Sequence, residues 1–340
     1  MNVFLCSLPK LNNTRLLTTT KANRILFLVH KRTLLLEGFD VLKRDMLGSI
    51  FVVITGSLWG TMGYFVKKLT DAGLTSVQVP FIRLLFGAVA LFLITLVFDR
   101  KLLRIQLRDI PYFLLTGLIG IGMTAVTYYT TITYAGLGVA AVLMYMAPVF
   151  VIVLSAIFFK EKITGKRVVA CVTSVTGCAL MSGVLGMTAI KPAFFATGIA
   201  GAVCYAVYSI ASKVLSNKYY SLTIVTYSFI IGTIPVAFMV EYPSMIAIFD
   251  QQPKLLLYAL CLSTVSCAFP YVLYTYALKR ITASKASILS SIEPVVASIL
   301  GVICFKEVMD ISKILGLLFV LASIVIINAN FKHRSPLEKM

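Results

Sequence analysis

Two strongly ionisable side chains lie well inside apolar stretches of the chain, Arg83 and Glu293. Where such stretches cross a bilayer, a charge at mid-depth costs at least about 2.5–3.5 kcal/mol, so it must face a cavity or a partner. Glu293 in that setting suits binding a cationic or amino group, or exchanging a proton, because burial disfavours its charged form. Arg83 suits binding a carboxylate, or holding Glu293 ionised between substrates. The competing reading is structural: both charges lock helices together, or Arg83 snorkels toward an interface. Five aromatic residues, Trp59, Tyr128, Tyr145, Tyr205 and Tyr274, sit at comparable depth. Each pairs a flat apolar face with one hydrogen-bonding group, which suits a small organic substrate as well as packing or interfacial anchoring. Pro148 and Pro294 each remove a backbone hydrogen bond in mid-stretch and clash with the preceding turn. They are candidate helix breaks and pivots beside a cavity, or static bends.

Other chemistries find little support. His30 and His333 are the only histidines and both lie in the tails, which argues against a membrane metalloprotease or a histidine-dependent serine hydrolase. The cysteines form no CxxC pair, and six of the seven sit in apolar stretches, as small buried hydrophobes do. No catalytic residue, metal site or cofactor is expected. Gly56-x-x-x-Gly60 and Gly117-x-x-Gly120-x-Gly122 follow no strand, so close helix packing is the better reading than phosphate binding.

The elements that must position these residues follow from composition. Only 13% of the residues are charged and 59% are hydrophobic, whereas a soluble domain carries about 25% charged residues. A helix crosses a bilayer with roughly 20 mostly apolar residues. Ten segments meet that requirement, at about 47–66, 76–98, 110–130, 138–159, 167–185, 194–212, 221–240, 255–277, 285–305 and 313–330. The uncharged stretch from Ile110 to Phe159 is too long for one helix and divides at the turn-forming residues 133–138.

The net charge of +18 does not form a basic face interleaved with aromatics, so no nucleic-acid partner is expected. The Lys and Arg residues sit in tails and short loops instead. With ten spans, 24 of them fall on the side that carries both termini and 6 on the other, Arg83 being the remaining one. Excess positive charge marks the cytoplasmic side, so a multi-pass protein of the cell membrane with both termini cytoplasmic is expected.

The chain also repeats itself. A shift of 146 residues places Ala147-Pro148-Val149 on Glu293-Pro294-Val295, Phe159-Lys160-Glu161 on Phe305-Lys306-Glu307 and Tyr128 on Tyr274. A shift of 145 places Gly56 on Gly201, Lys68 on Lys213 and Gly87 on Gly232. Spans 1–5 therefore match spans 6–10. Five is odd, so the second copy enters the membrane from the opposite side, an arrangement typical of secondary transporters. Arg83 falls on Ser228 and Glu293 on Ala147. Each charge belongs to one copy only, which points to a task at a site.

The stretches MYMAPVFVIVLSAIFFKEKITGKR and ILSSIEPVVASILGVICFKEVMD, with the Trp59-Gly60 pair, resemble the EamA-type drug/metabolite transporter superfamily over residues 46–330. One departure is Ala170, where the second copy has Gly316; it bears on helix packing. The resemblance implies an exporter of amino acids, other small metabolites or toxic compounds.

The expected fold is thus an all-α polytopic membrane protein of ten transmembrane helices in two inverted five-helix repeats, over 46–185 and 192–330. The expected function is a secondary transporter, not an enzyme, that moves amino acid-like or drug-like metabolites by alternating access, with a proton as candidate coupling ion. A channel-like facilitator and a non-catalytic scaffold are the alternatives. Expected partners are a small-molecule substrate and membrane lipid, with the chain a monomer or homodimer. Residues 1–45 form a basic tail, with no acidic residue before Glu37, and residues 331–340 a short C-terminal tail. The first tail reads as an inessential cytoplasmic arm; an organellar presequence and an early-assigned start are its alternatives.

Overall fold

A computed structural model describes residues 43–182, 192–306 and 308–329. The N-terminal tail up to residue 42, the tail over 331–340, Lys191 and Glu307 lie outside the described residues. Among the described residues the secondary structure is helical throughout, with no strand. In lipid no water is available to backbone N–H and C=O groups, so a spanning segment must bond them internally.

Eleven helices result among the described residues. They are α1 Lys43–Asp71, α2 Gln78–Phe98, α3 Leu107–Ala135, α4 Gly138–Phe159, α5 Gly165–Met181, α6 Pro192–Leu215, α7 Ser221–Ala237, α8 Tyr242–Gln251, α9 Leu255–Leu278, α10 Ala283–Phe305 and α11 Ile311–Asn328. Eight of them have 18 residues or more and are apolar enough to cross a membrane. The helices α5 and α7, of 17 residues each, bring the total to the ten expected spans. The sequence reading does not anticipate α8, a short helix bent 109° away from α7. In the first copy the equivalent stretch is a loop with one 3₁₀ turn, Arg100–Leu103. Side chains on the outside fit a lipid environment: Ile157, Phe158, Val172, Ile303 and Val325 are each 60–70% exposed.

The two inverted repeats of five spans are α1–α5 and α6–α11, the second with the short α8 added, and they interlock rather than stand side by side. The helix α5 packs along α11, α2 along α7, α3 against α6 and α7, and α9 against α1 and α2. Local irregularities recur at the repeat spacing. Both α4 and α10 are broken in the middle, at Tyr145–Met146 and at Ser291–Ile292. Pro148 and Pro294 occupy the first turn of the helical half that follows, where a missing N–H has no intrahelical acceptor to lose. Lys160 and Lys306 end those halves in the left-handed conformation, with φ of 53° and 56°. Widened π-type turns occupy Leu115–Met123 in α3 and Thr264–Ala268 in α9.

The crossing of α5 and α11 depends on paired small residues. A Cβ placed on Gly177 falls 2.7 Å from the Gly316 carbonyl oxygen, and one on Gly316 falls 2.6 Å from that of Gly177. Ala170 and Ser323, their repeat equivalents, are fully buried in the same pair of helices. Backbone approaches this close let membrane helices associate without a hydrophobic drive. Gly316→Val is expected to cost about 1–3 kcal/mol by forcing the helices apart. A lowered melting temperature in detergent checks it, with Val325→Ala, at an exposed position, as a control that leaves melting unchanged.

Candidate functional site

The breaks in α4 and α10 face one another across a cavity at the centre of the bundle. Its wall includes Trp59 and Met62 of α1, Arg83 of α2, Thr124, Tyr128 and Tyr129 of α3, Tyr205 of α6 and Tyr271 of α9. Ala141, Met144, Tyr145, Ala147 and Pro148 of α4 line one side, and Ser287, Ser290, Ser291 and Glu293 of α10 the other. Room for the centres of water-sized molecules amounts to about 120 Å³, where a single water needs roughly 10–15 Å³. The space fits a solute of amino-acid size.

Six of the seven residues singled out for substrate binding line it: Trp59, Arg83, Tyr128, Tyr145, Tyr205 and Glu293. Pro148 does as well. Tyr274 and Pro294 do not. Tyr274 is fully buried behind the wall, its hydroxyl 3.0 Å from that of Ser209, and its ring packs 5.6 Å from Trp59. Pro294 is buried beneath the break. Trp59 is held by rings from two helices, Tyr205 at 6.3 Å and Tyr271 at 5.2 Å. Such edge-on contacts fix the indole without consuming its face.

The helix α1 reaches the break in α10 because it carries glycines there. A Cβ on Gly56 falls 2.8 Å from the Ser290 carbonyl oxygen, and one on Gly60 falls 2.7 Å from that of Glu293. The expected packing role of this pair therefore has a specific object. It seats α1 against the segment that presents the carboxylate.

Polar groups at the cavity are left unpaired by the protein. Arg83 donates from one terminal nitrogen to the Met62 sulfur at 2.8 Å, and its Nε has no partner. Thr124 Oγ1, Tyr205 OH and Ser287 Oγ also lack a hydrogen bond of good geometry. Among the described residues Glu293 has no hydrogen-bond or ion-pair partner, and no salt bridge joins it to Arg83. Buried polar groups are normally satisfied, and each exception calls for an explanation such as a missing ligand.

Two of the residues that the sequence reading misses are repeat partners of those it names, and most of the others lie one turn from such positions. Tyr145 falls on Ser291, Glu293 on Ala147, Ala141 on Ser287 and Met144 on Ser290. All eight line the cavity. Carrying each named residue through the repeat is the signal that finds Ser291 and Ala147, and one turn to either side gives the rest. Ile121 and Tyr129 have no such signal.

Comparisons with known proteins agree with this architecture. The sequence pattern of the EamA-like transporter family matches residues 46–183 and 193–329. The chain is 30% identical to an uncharacterized transporter of Archaeoglobus fulgidus, over 82% of this chain and 95% of that one. It is 26% identical to a probable terminal-alkyne amino-acid exporter of Streptantibioticus cattleyicolor, over 66% and 75% of the two chains. A crystal structure with 16% identity shares the fold, with a TM-score of 0.67 over 83% of this chain and 96% of the other.

Two substitutions separate wall from support. Trp59→Ala is expected to raise the substrate KM about tenfold, the loss of roughly 1.4 kcal/mol of contact. Tyr274→Phe is expected to leave KM within twofold and to lower stability by about 1 kcal/mol, through its lost hydrogen bond. Flux kinetics and thermal melting of the two proteins check both expectations.

Proposed function

The chain belongs to the EamA-like transporter family, and on that premise we propose that it is a secondary transporter that exports or exchanges amino acid-like metabolites by alternating access. That it is a multi-pass membrane transporter follows from the family and the apolar helices. The substrate class rests on the cavity. The observation that carries it is the pair Arg83 and Glu293, a cation and an acid in one cavity with no ion pair between them.

A zwitterion fits that pair. Its ammonium group meets the Glu293 carboxylate and the Ser287, Ser290 and Ser291 hydroxyls, while its carboxylate meets the guanidinium of Arg83. The side chain then faces Ala141, Met144, Tyr145 and Ala147, the apolar wall supplied by α4. A charged side chain there would lack a partner, so apolar and aromatic side chains are favoured. The relative named as an amino-acid exporter points the same way. Drug-like cations that use Glu293 alone form a weaker class under this reading.

Coupling follows from the same acid. With no protein partner, Glu293 is neutralised either by the substrate's ammonium group or by a proton, so the two exchange at one carboxylate. The basic loops support cytoplasmic termini in a cell-membrane protein, and outward movement of the substrate completes the proposal.

Purified protein in liposomes tests it. Saturable flux of an apolar amino acid, stimulated by an opposed proton gradient, is the expected result. Glu293→Gln is expected to reduce that flux by at least about tenfold, as loss of one charged contact implies, and to remove its dependence on pH. Arg83→Gln is expected to weaken transport of amino acids more than that of their carboxyl esters. Unchanged flux and pH dependence in Glu293→Gln overturns the assignment of the acid.

A further inference from the structure

At one register the two repeats carry the same residue and the structure treats it in two ways. Lys213 lies in the last turn of α6 and Lys68 in the last turn of α1, at the repeat spacing of 145. Lys213 is half-buried. Its ammonium donates to the backbone oxygens of Leu278 and Ile281, the second at 2.6 Å. It thereby ties α6 to the C-terminal end of α9, where helix carbonyls have no partner within the helix and the helix dipole is negative. Lys68 is exposed, its ammonium 5.9 Å from the centre of the Tyr64 ring, and it makes no hydrogen bond among the described residues. The matching target is the C-terminal end of α3, at Ile132 and Ala135, each 146 residues before Leu278 and Ile281.

The surroundings share the asymmetry in part, since Gln78, the equivalent of Thr223, donates on the opposite face to the Glu241 carbonyl and the Ser244 hydroxyl, each at 2.9 Å. On the face of Lys213, Lys218 and Tyr219 bind Asp109 at 2.7 and 2.8 Å. Thr223 and Tyr227 of α7 donate to the carbonyls of Leu102 and Leu103. Ser284 at the start of α10 donates to Glu161 beyond the end of α4, at 3.0 Å. On the other face the positions equivalent to Lys218 and Tyr219 are Gly73 and Leu74, which carry no side-chain donor. Of this set the lysine and Glu161, which falls on Glu307, are present in both copies.

We propose that Lys213 and Lys68 are alternating clasps: Lys213 fastens the basic face in the state seen here, and in the opposite state it lets go while Lys68 takes the same grip on the end of α3. This rests on the alternating-access reading above. In an inverted-repeat carrier the two states exchange the conformations of the repeats, so a contact made by one copy in one state is made by the other copy in the other. An ammonium suits the task, because it carries three donors on a flexible stem and no acceptor. Each clasp stabilises one state only, so removing it shifts the population toward the other.

The test reads accessibility at two equivalent cavity positions, Ser287 near the basic face and Ala141 near the opposite face. The reporters S287C and A141C are made singly in a chain stripped of its native cysteines, and each is labelled by an impermeant maleimide from either side of sealed vesicles. K213Q is expected to raise labelling of the S287C reporter from the basic face and to lower that of the A141C reporter from the other. K68Q is expected to do the reverse. A change of about tenfold in the ratio is expected for one charge-assisted contact. K213R, which keeps the donors, is expected to label as the parent does. Because Lys68 is exposed here, K68Q carries the test even if K213Q misfolds. Shifts of the same sign in both variants, or no shift in K68Q, overturn the clasps. Amino-acid flux, measured in parallel vesicles on the parent chain with Ser287 and Ala141 intact, keeps the two ideas apart. Normal flux without a shift ends the clasps and leaves the transporter, whereas opposed shifts without flux in the parent end the amino-acid reading and leave the clasps.

Discussion

Backbone in lipid must bond to itself, and every departure from a regular helix at membrane depth needs a local remedy. Among the described residues, most of the departures sit around one space, the proline inside α7, Pro235, lying apart from it. Both mid-helix breaks, Tyr145–Met146 and Ser291–Ile292, adjoin the cavity, and the widened turns of α3 and α9 lie next to Thr124, Ala125 and Tyr271 on its wall. An irregular helix is tolerated there because protein and a polar interior, not lipid, surround it. The proline that follows each break keeps it from healing, since the second residue of the second half has no N–H to return to the first. The helix α1 can approach the break in α10 only because Gly56 and Gly60 bring no side chain into the gap. The constraint therefore links the repeat, the glycines and the cavity in one arrangement.

Against that shared frame, function lies in what the copies do not share. The polar wall on α10 and the apolar wall on α4 are the same four positions, occupied by serines and a glutamate in one case and by Ala, Met, Tyr and Ala in the other. At the register of Arg83 the second copy has Ser228, whose hydroxyl lies 2.8 Å from the Thr116 hydroxyl and 2.7 Å from the Ile224 carbonyl oxygen, its one proton shared between them. That serine joins α7 to α3 and is spent on packing. Arg83 is spent on the cavity. A duplicated scaffold with symmetric walls would treat both ends of a substrate alike, and the divergence of these positions gives it a direction.

Most of the architecture was legible because it rests on hydropathy and self-similarity, which survive in a single sequence. Ten apolar stretches, the turn near Gly136, the inverted relation and the pairing of prolines with a cavity are all consequences of residue type and spacing. The bend of 109° into α8 was not legible, since Tyr242–Gln251 is too short and mixed to register as a span and its first-copy equivalent is a loop. Tyr274 was placed at the wall by its depth, but depth does not give rotation about the helix axis, and Tyr271, one turn earlier, is the residue that faces inward. Whether Arg83 and Glu293 come within salt-bridge distance, which they do not among the described residues, was not legible for a related reason. Sequence puts two charges in one layer of the membrane, while the distance between them depends on how α2 and α10 are rotated and spaced.

The break in α10 also sets the electrical character of that site. Glu293 is the first residue of the helical half that follows, so its carboxylate sits at the positive end of a 13-residue helix. The matching end in α4 begins with Ala147, which leaves the same positive potential uncompensated beside the cavity. One half-helix thus meets the cavity with its dipole answered by an acid from the chain, and the other with its dipole unanswered. The unanswered end and Arg83 both favour a negative group, and Glu293 favours a positive one. Two helices broken at matching positions, differing at the residue that opens the second half, thus present the cavity with opposite electrical characters. On the proposed reading, a substrate with opposite charges and an apolar body answers both ends at once, where a simple cation or anion answers one.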